Sequence, residues 1–348
     1  MKKSGITRRN FIVGSATGAA SLLVGSYHRF DAWAAKEEFP LNIAVEFTDH
    51  AASAYVAKQK GWFEEEGLKP VFYNYVTGMS LAAGLSKGNI QAAYMCLLPA
   101  INAYANAGVP IRIVAGLHRH GYGLVVNPEK VKSVKDLEKP GIRIGCVQVG
   151  GPVDAVLIKT IEKYGLDRRK ILGKVQRMNP PMQTLAIKTR KLDASFSPEH
   201  WPAMGEDAGF SLLLRSRDVW PGMQGSVLIV REDLIKNHPE VVKKLVEITG
   251  KSTKWIRENP EEAASIMAGQ LQVTGDRIFP TEAAEAAAKL AITPKTIRRS
   301  MERLEYALRV DTPAVQEAID FAAREGNIRK VFDADDVLDL RFVDEKKN

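Results

Sequence analysis

Acidic, imidazole and aromatic side chains lie together in two short segments that could contact a polar ligand. One segment is Ser197-Pro198-Glu199-His200-Trp201, which places an acid, an imidazole and an indole side by side. The other is the pair Asp49-His50, within a polar stretch from Thr48 to Ser53. Carboxylate and imidazole groups bind polar atoms, and an indole covers a planar or apolar face. The indole of Trp201 is equally well interpreted as part of the core, and the sequence leaves both interpretations open.

No catalytic or metal-binding motif accompanies these segments. His118 and His120 form a His-x-His pair, which by itself does not have the spacing of a metal site. Gly150-Gly151 lacks both the GxGxxG pattern and the lysine of a phosphate loop. No GxSxG segment occurs, and no nucleophile is accompanied by a base. We therefore predict no catalytic residue, no metal ion and no cofactor.

The two cysteines, Cys96 and Cys146, fall in or just after predicted strands of different halves of the chain. A pair of cysteines can form a disulfide in an oxidising compartment, but two cannot build a disulfide framework. Their separation favours two free, buried thiols.

Hydrophobic patterns predict strict alternation of strands and helices, which is typical of a parallel α/β sheet. The pattern runs once to about residue 118 and then repeats, so we expect two α/β lobes. Strands are predicted at residues 41–47, 70–76, 90–95, 111–117, 142–147, 174–178, 192–196, 211–214 and 226–230. Helices are predicted at residues 54–66, 77–88, 99–108, 153–164, 180–190, from 198 onward, and at 239–259, 260–272, 281–290, 294–308 and 312–325.

In an open parallel sheet, ligands bind beyond the carboxyl ends of the strands. Five loops occupy this position, at residues 48–53, 77–80, 96–99, 148–152 and 197–201. Each runs into a helix whose first N–H groups are unpaired within the helix and favour anions or acceptor groups. The small polar residues in these loops are also consistent with simple helix caps and turn glycines. The predicted ligand-binding residues are Thr48, Asp49, Ser53, Gly78, Ser80, Cys96, His118, Gln148, Gly150, Gly151, Glu199, His200 and Trp201.

Residues 1–34 have the layout of a secretory signal of the twin-arginine (Tat) type. Basic residues end in the pair Arg8-Arg9, a weakly apolar stretch from Ile12 to Val24 follows, and Ala32-Trp33-Ala34 is a small-x-small cleavage site. The alternative is a membrane anchor, but the apolar stretch is shorter than the roughly 20 residues of a spanning helix. We therefore expect Tat export and a mature protein in the periplasm.

The charge of the chain does not indicate a nucleic-acid partner. The net charge is +8, of which residues 1–34 contribute +4 through five basic and one acidic side chain. The remaining excess is small and dispersed along the chain.

Several segments, in order, resemble the solute-binding proteins of nitrate/sulfonate/taurine-type ABC importers. The similar segments are residues 55–68 (YVAKQKGWFEEEGL), 82–92, 103–111, 134–141 and 332–342. The resemblance implies a type II periplasmic binding protein fold, with two α/β lobes, a hinge of two crossovers and a helical C-terminal region. The lobes would comprise residues 35–118 with 216–348, and residues 119–215.

The function implied by this resemblance is a monomeric receptor that clamps a small-molecule solute and delivers it to an inner-membrane ABC permease. Because Asp49 and Glu199 would repel a bare inorganic anion, we expect an organic solute with a donor group. The alternatives are an exported enzyme or cofactor-binding protein on the same fold, or a sensory or structural interaction domain.

Replacing both arginines of the pair, Arg8→Lys with Arg9→Lys, is expected to retain the precursor in the cytoplasm, because Tat targeting depends on this pair. Cell fractionation with immunoblotting measures the distribution. Normal appearance of the double variant in the periplasm would contradict the Tat assignment.

Overall fold

The alternating strands and helices assemble into two separate sheets. A computed structural model describes residues 38–278 and 292–343. The predicted signal segment and the helix predicted at residues 281–290 lie outside the described residues. All described residues belong to one compact unit.

The first sheet has six strands, of which β3, β1 and β2 at one side are parallel. β1 pairs in parallel with β2 and β3, whereas β10 runs antiparallel to β3 and β4, and β11 runs antiparallel to β4. The spatial order is β11-β4-β10-β3-β1-β2. The strands are β1 (Phe39–Glu46), β2 (Leu68–Tyr75), β3 (Ala92–Cys96), β4 (Ile111–His120), β10 (Gln224–Arg231) and β11 (Leu304–Tyr306).

The second sheet has five strands in the order β7-β6-β8-β5-β9. β6 is parallel to β7 and β8, and β5 is antiparallel to β8 and β9. The strands are β5 (Tyr122–Val126), β6 (Ile144–Cys146), β7 (Val175–Arg177), β8 (Ala194–Pro198) and β9 (Ser211–Arg215). The prediction of purely parallel sheets is therefore wrong, because each sheet contains a strand whose chain arrives from the other sheet and runs in the opposite direction.

The chain crosses between the sheets twice. The first crossing is at Gly121, where His120 (φ 62°) and Gly121 (φ 87°) both adopt the left-handed region. The return lies between Arg215 and Gln224. The strands before the first crossing and after the return belong to the first sheet, and those between the crossings belong to the second, which is the division predicted for the two lobes. That the lobes are separate rigid bodies remains a prediction.

Fourteen helices of the described residues surround the sheets. They are α1 (Ala52–Gln59), α2 (Trp62–Glu65), α3 (Gly78–Leu85), α4 (Leu97–Ala107), α5 (Pro152–Tyr164), α6 (Arg168–Leu172), α7 (Pro180–Lys188), α8 (Trp201–Asp207), α9 (Ser216–Val219), α10 (Glu232–Asn237), α11 (Pro239–Glu258), α12 (Pro260–Ile278), α13 (Pro294–Met301) and α14 (Thr312–Arg324). Among residues 38–278 and 292–343, none of these helices has the length and apolar character to span a bilayer.

One predicted helix is divided into two, and another ends earlier than predicted. The helix predicted at 54–66 is divided into α1 and α2, because Gly61 adopts a left-handed conformation with φ 72°. The helix predicted at 294–308 ends at Met301 and is followed by β11. Leu304 and Tyr306 are buried on one side of that strand, so pairing with the edge of β4 satisfies the backbone and buries apolar area at the same time.

Two apolar cores cover the two faces of the first sheet. In β10, Val227 and Ile229 join one core, whereas Leu228 and Val230 join the other, as the two-residue period of a strand requires. One core continues into the second sheet and the other lies under α1, α11 and α12. Cys96 ends β3 and Cys146 ends β6, and both thiols are free and buried, which confirms the prediction.

Candidate functional site

A narrow cleft lies between the carboxyl ends of the parallel strands of the two sheets. The cavity volume that the centres of water molecules can occupy is about 40 Å³. The first sheet contributes Glu46, Phe47, Thr48, Val76, Thr77, Gly78, Met79, Cys96 and Pro99. The second contributes Tyr122, Val147, Gln148, Gly151, Pro152, Val153, Pro180 and Pro198.

The N-termini of four helices reach this cleft, those of α3, α4, α5 and α7. Their N-cap residues are Thr77, Cys96, Gly151 and Asn179. An N-terminus presents unpaired N–H groups and the positive end of the helix dipole. The described lining residues include no lysine or arginine and one carboxyl group, that of Glu46, so any attraction for an anionic or acceptor group comes from these N-termini.

Five of the predicted binding residues line the cleft: Thr48, Gly78, Cys96, Gln148 and Gly151. Position 78 requires glycine for steric reasons, because the Cβ of any other residue would lie 2.4 Å from Glu46 Oε1. Gly78 therefore lets the Glu46 carboxyl group approach the start of α3. The sequence carries no signal for Glu46 as a cleft residue, because it lies within the strand predicted at residues 41–47.

Four other predicted residues do not line the cleft in the described structure. Ser80 completes a capping box with Thr77 at the start of α3. Gly150 occupies a turn with φ 80°, and its N–H donates to Asp154 Oδ2 at 3.1 Å. Ser53 and His118 are buried. Their contribution to ligand binding stays a prediction.

The remaining four predicted residues, Asp49, Glu199, His200 and Trp201, meet in a buried junction beside the cleft. His200 Nδ1 lies 3.6 Å from Asp49 Oδ1. None of the four lines the cleft, and each is at most 3% exposed. Contact of these four side chains with a ligand also stays a prediction.

Side chains from the C-terminal region complete this junction. The backbone N–H of His200 donates to Ser300 Oγ at 2.6 Å, and Ser300 Oγ donates to Asp49 Oδ2. Burial alone would raise the pKa of Asp49, but the neighbouring imidazoles of His200 and His50 and the Ser300 hydroxyl lower it to about 2. The sequence carries no signal for Ser300, because it lies 251 positions from Asp49.

Glu199 is buried without a complete set of partners. Its Oε2 lies 3.5 Å from Arg303 Nη1, while Arg303 Nη2 binds Glu206 Oε2 at 2.6 Å. Glu199 Oε1 has no hydrogen-bond partner among the described residues. Burial raises the pKa of Glu199 to about 8, against the opposing charge of Arg303. Glu199 is thus mainly protonated at neutral pH.

The variant Glu199→Gln is expected to reduce the pH dependence of stability between about pH 4.5 and about pH 8. In this interval the folded protein keeps a proton that the unfolded chain releases, because the pKa is raised from 4.5 to about 8. The free energy of unfolding therefore falls as the pH rises, and glutamine does not titrate. Urea denaturation of wild type, Glu199→Gln and the exposed control Glu302→Gln, at both ends of the interval, measures this. A wild-type slope in Glu199→Gln would contradict the assignment.

Trp201 packs as a core residue in this structure. Its ring lies 6.2 Å from that of Phe47 and 4.3 Å from that of His200, and it is 3% exposed. It joins the core beneath the first sheet. Of the two interpretations left open by the sequence, this burial favours packing.

Trp201→Ala is expected to lower the free energy of unfolding by about 3–5 kcal/mol, the usual cost of removing a large buried aromatic side chain. Trp201→Phe fills part of the space and should cost less. Chemical denaturation measures both. A thermal midpoint close to that of wild type, together with weakened solute binding, would instead place the indole at the ligand.

The two sheets, the two crossovers and the cleft between strand ends define a periplasmic binding protein fold, as the sequence predicted. Three proteins can be compared with the chain. A putative aliphatic sulfonates-binding protein of Bacillus subtilis (strain 168) is 24% identical over 301 residues, covering 83% of this chain and 82% of that protein.

Two solved structures share the fold. The alkanesulfonate-binding protein SsuA from Xanthomonas axonopodis pv. citri, bound to MOPS, superposes with a TM-score of 0.71 at 18% identity, over 87% of this chain and 99% of that one. The periplasmic nitrate-binding protein NrtA from Synechocystis PCC 6803 gives a TM-score of 0.70 at 16% identity, over 88% of this chain and 87% of that one.

The chain belongs to the NMT1-like family, whose profile matches residues 34–271, more than half of its length.

Proposed function

We propose that this protein is the solute receptor of an ABC importer and that it clamps a small organic acid in the cleft between its two sheets. The observation that carries this is the convergence of four helix N-termini on one cleft. Their N–H groups and dipoles favour a sulfonate or carboxylate head group. The protein would pass this solute to an inner-membrane permease.

The remaining lining favours an organic ligand over a bare inorganic anion. Apolar side chains and prolines surround the helix N-termini, among them Phe47, Met79, Val147 and Val153. Such surfaces bind a hydrocarbon portion. The carboxyl groups of Asp49 and Glu199, from which the sequence predicted a donor-bearing solute, lie in the junction instead. The sulfonate-binding proteins named above support an organic anion, and the nitrate-binding protein supports an anionic ligand in general.

Binding would be coupled to movement of the sheets. The cleft has space for only a few water molecules, so an organic ligand needs a more open form to enter. Hinge motion at the two crossovers would supply that form, and the ligand would favour closure by contacting both sheets at once.

The proposed receptor acts in the periplasm and does not alter its ligand. The receptor would be exported to the periplasm by the Tat route, act as a monomer and leave its ligand chemically unchanged. Arg8-Arg9 with the apolar stretch and cleavage site supports the route. Mass spectrometry of the ligand after incubation tests the last point, since conversion of the ligand would favour the alternative of an exported enzyme.

Gly151→Asp is expected to weaken binding of an anionic solute at least about tenfold, because it places a carboxylate at the cleft end of α5. A side chain fits there, since a Cβ would meet only Gln148 O at 3.5 Å. Aspartate is also a favourable N-cap, so the fold should persist. Calorimetry of the metal-free protein with MOPS, an alkanesulfonate, an alkanecarboxylate, nitrate and an uncharged analogue measures the effect.

Gly151→Asn is the matched control, because asparagine has the same size and capping ability without the charge. It should weaken binding less than aspartate does. Equal binding of the uncharged analogue by wild type, or an unchanged affinity in Gly151→Asp, would contradict an anion site. Failure of wild type to bind any of these compounds, and to co-purify with a small molecule, would contradict the receptor function.

A further inference from the structure

A thiol, an imidazole and a carboxyl group converge at the floor of the cleft. One potential ligand atom from each of Glu46, His50 and Cys96 lies within 4.8 Å of the others, and all three side chains are buried. Cys96 Sγ lies 2.9 Å from Glu46 Oε2 and 3.9 Å from His50 Nδ1. From this geometry we propose that these residues bind a thiophilic divalent cation of the zinc class.

The distances are close to those that such a cation requires. Zn²⁺ lies about 2.3 Å from a thiolate and about 2.0–2.2 Å from an imidazole nitrogen or a carboxylate oxygen. A tetrahedral arrangement with these bonds separates the ligand atoms by about 3.3–3.6 Å. Small side-chain rotations therefore bring the three groups into a coordination sphere, with no change in the sheet.

The orientation of His50 suits a ligand role. Its Nε2 lies 2.7 Å from the carbonyl oxygen of Gly121. Because a carbonyl only accepts, Nε2 carries the proton and the lone pair of Nδ1 points toward Cys96. A backbone carbonyl that fixes the other ring nitrogen is typical of metal-binding histidines.

The thiol of Cys96 is also surrounded by outer partners. Tyr122 Oη donates to Sγ at 3.1 Å, and Ser226 Oγ lies 3.6 Å from it. These hydroxyl groups stabilise negative charge on sulfur. Glu46 is held in turn by the backbone N–H of Cys96, which donates to Oε1 at 2.8 Å and leaves Oε2 for the cation. On binding, the thiol proton leaves to solvent and the sulfur coordinates as thiolate.

Three protein ligands leave one position of a tetrahedral ion open, as in zinc sites that bind an exogenous group. Glu46 and Cys96 line the cleft, so the open position faces the space between the sheets. Sulfur and imidazole ligands select zinc-class ions over magnesium or calcium, which prefer oxygen. This site does not depend on the proposed solute, and it is tested without one.

The test uses the mature protein stripped with a chelator and titrated with Zn²⁺ against a chromophoric competitor, and then with Co²⁺. Wild type should bind one Zn²⁺ per chain, and the Co²⁺ form should show thiolate-to-metal charge-transfer absorption. Cys96→Ser should lose this absorption and bind Zn²⁺ at least tenfold more weakly. Glu46→Gln should weaken Zn²⁺ binding and retain the absorption.

Cys146→Ser is the matched control, because Cys146 is the second buried free thiol and lies in the other sheet. It should keep both the absorption and the Zn²⁺ affinity. Circular dichroism checks that each variant is folded. Absence of the charge-transfer absorption in wild type overturns the proposal whatever the variants do, as does its loss in Cys146→Ser or its retention in Cys96→Ser.

Discussion

Backbone N–H groups that have no partner within their own helix, at four helix N-termini, are the constraint around which the rest of the structure is arranged. Parallel strands of one sheet end at the same edge, so the helices that follow them begin there with N–H groups that lack partners within the helix. The crossings at Gly121 and between Arg215 and Gln224 turn the two edges toward each other. In the proposed function, a ligand with acceptor atoms would satisfy N–H groups that follow strands of both sheets at once and would thereby favour a closed form.

Beside the cleft, a buried polar junction fixes how the second sheet meets the C-terminal region. Ser300 links Asp49 to the backbone of His200, and Arg303 contacts Glu199. Because these groups are buried, removing one partner leaves a polar group without a hydrogen bond, at a cost of about 1–3 kcal/mol. The junction thereby ties the start of α8 to α13.

Much of the local structure followed from sequence patterns, because helices and strands respond to short-range periodicity and capping. The left-handed Gly108 and Gly165 end α4 and α5 as predicted. The predicted secondary structure is wrong where a segment pairs with a strand that is distant in the sequence. Leu304–Tyr306 has a helical pattern in sequence, yet the unpaired edge of β4 makes it a strand. The sequence pattern does not predict β5 for the same reason, since its pairing with β8 and β9 is antiparallel and long-range.

The sequence by itself determined the fold class, the family resemblance and the loops that form the cleft, because strand ends and helix starts are encoded locally. Only the tertiary structure decided which side chains of those loops face the ligand space. Asp49, Glu199 and Trp201 turned into the junction, whereas Glu46 turned into the cleft. Glu46, His50 and Cys96 have no motif spacing, since β3 brings Cys96 beside the end of β1 only through sheet pairing. Contacts between residues on neighbouring strands depend on the order and register of those strands, which local sequence patterns do not specify.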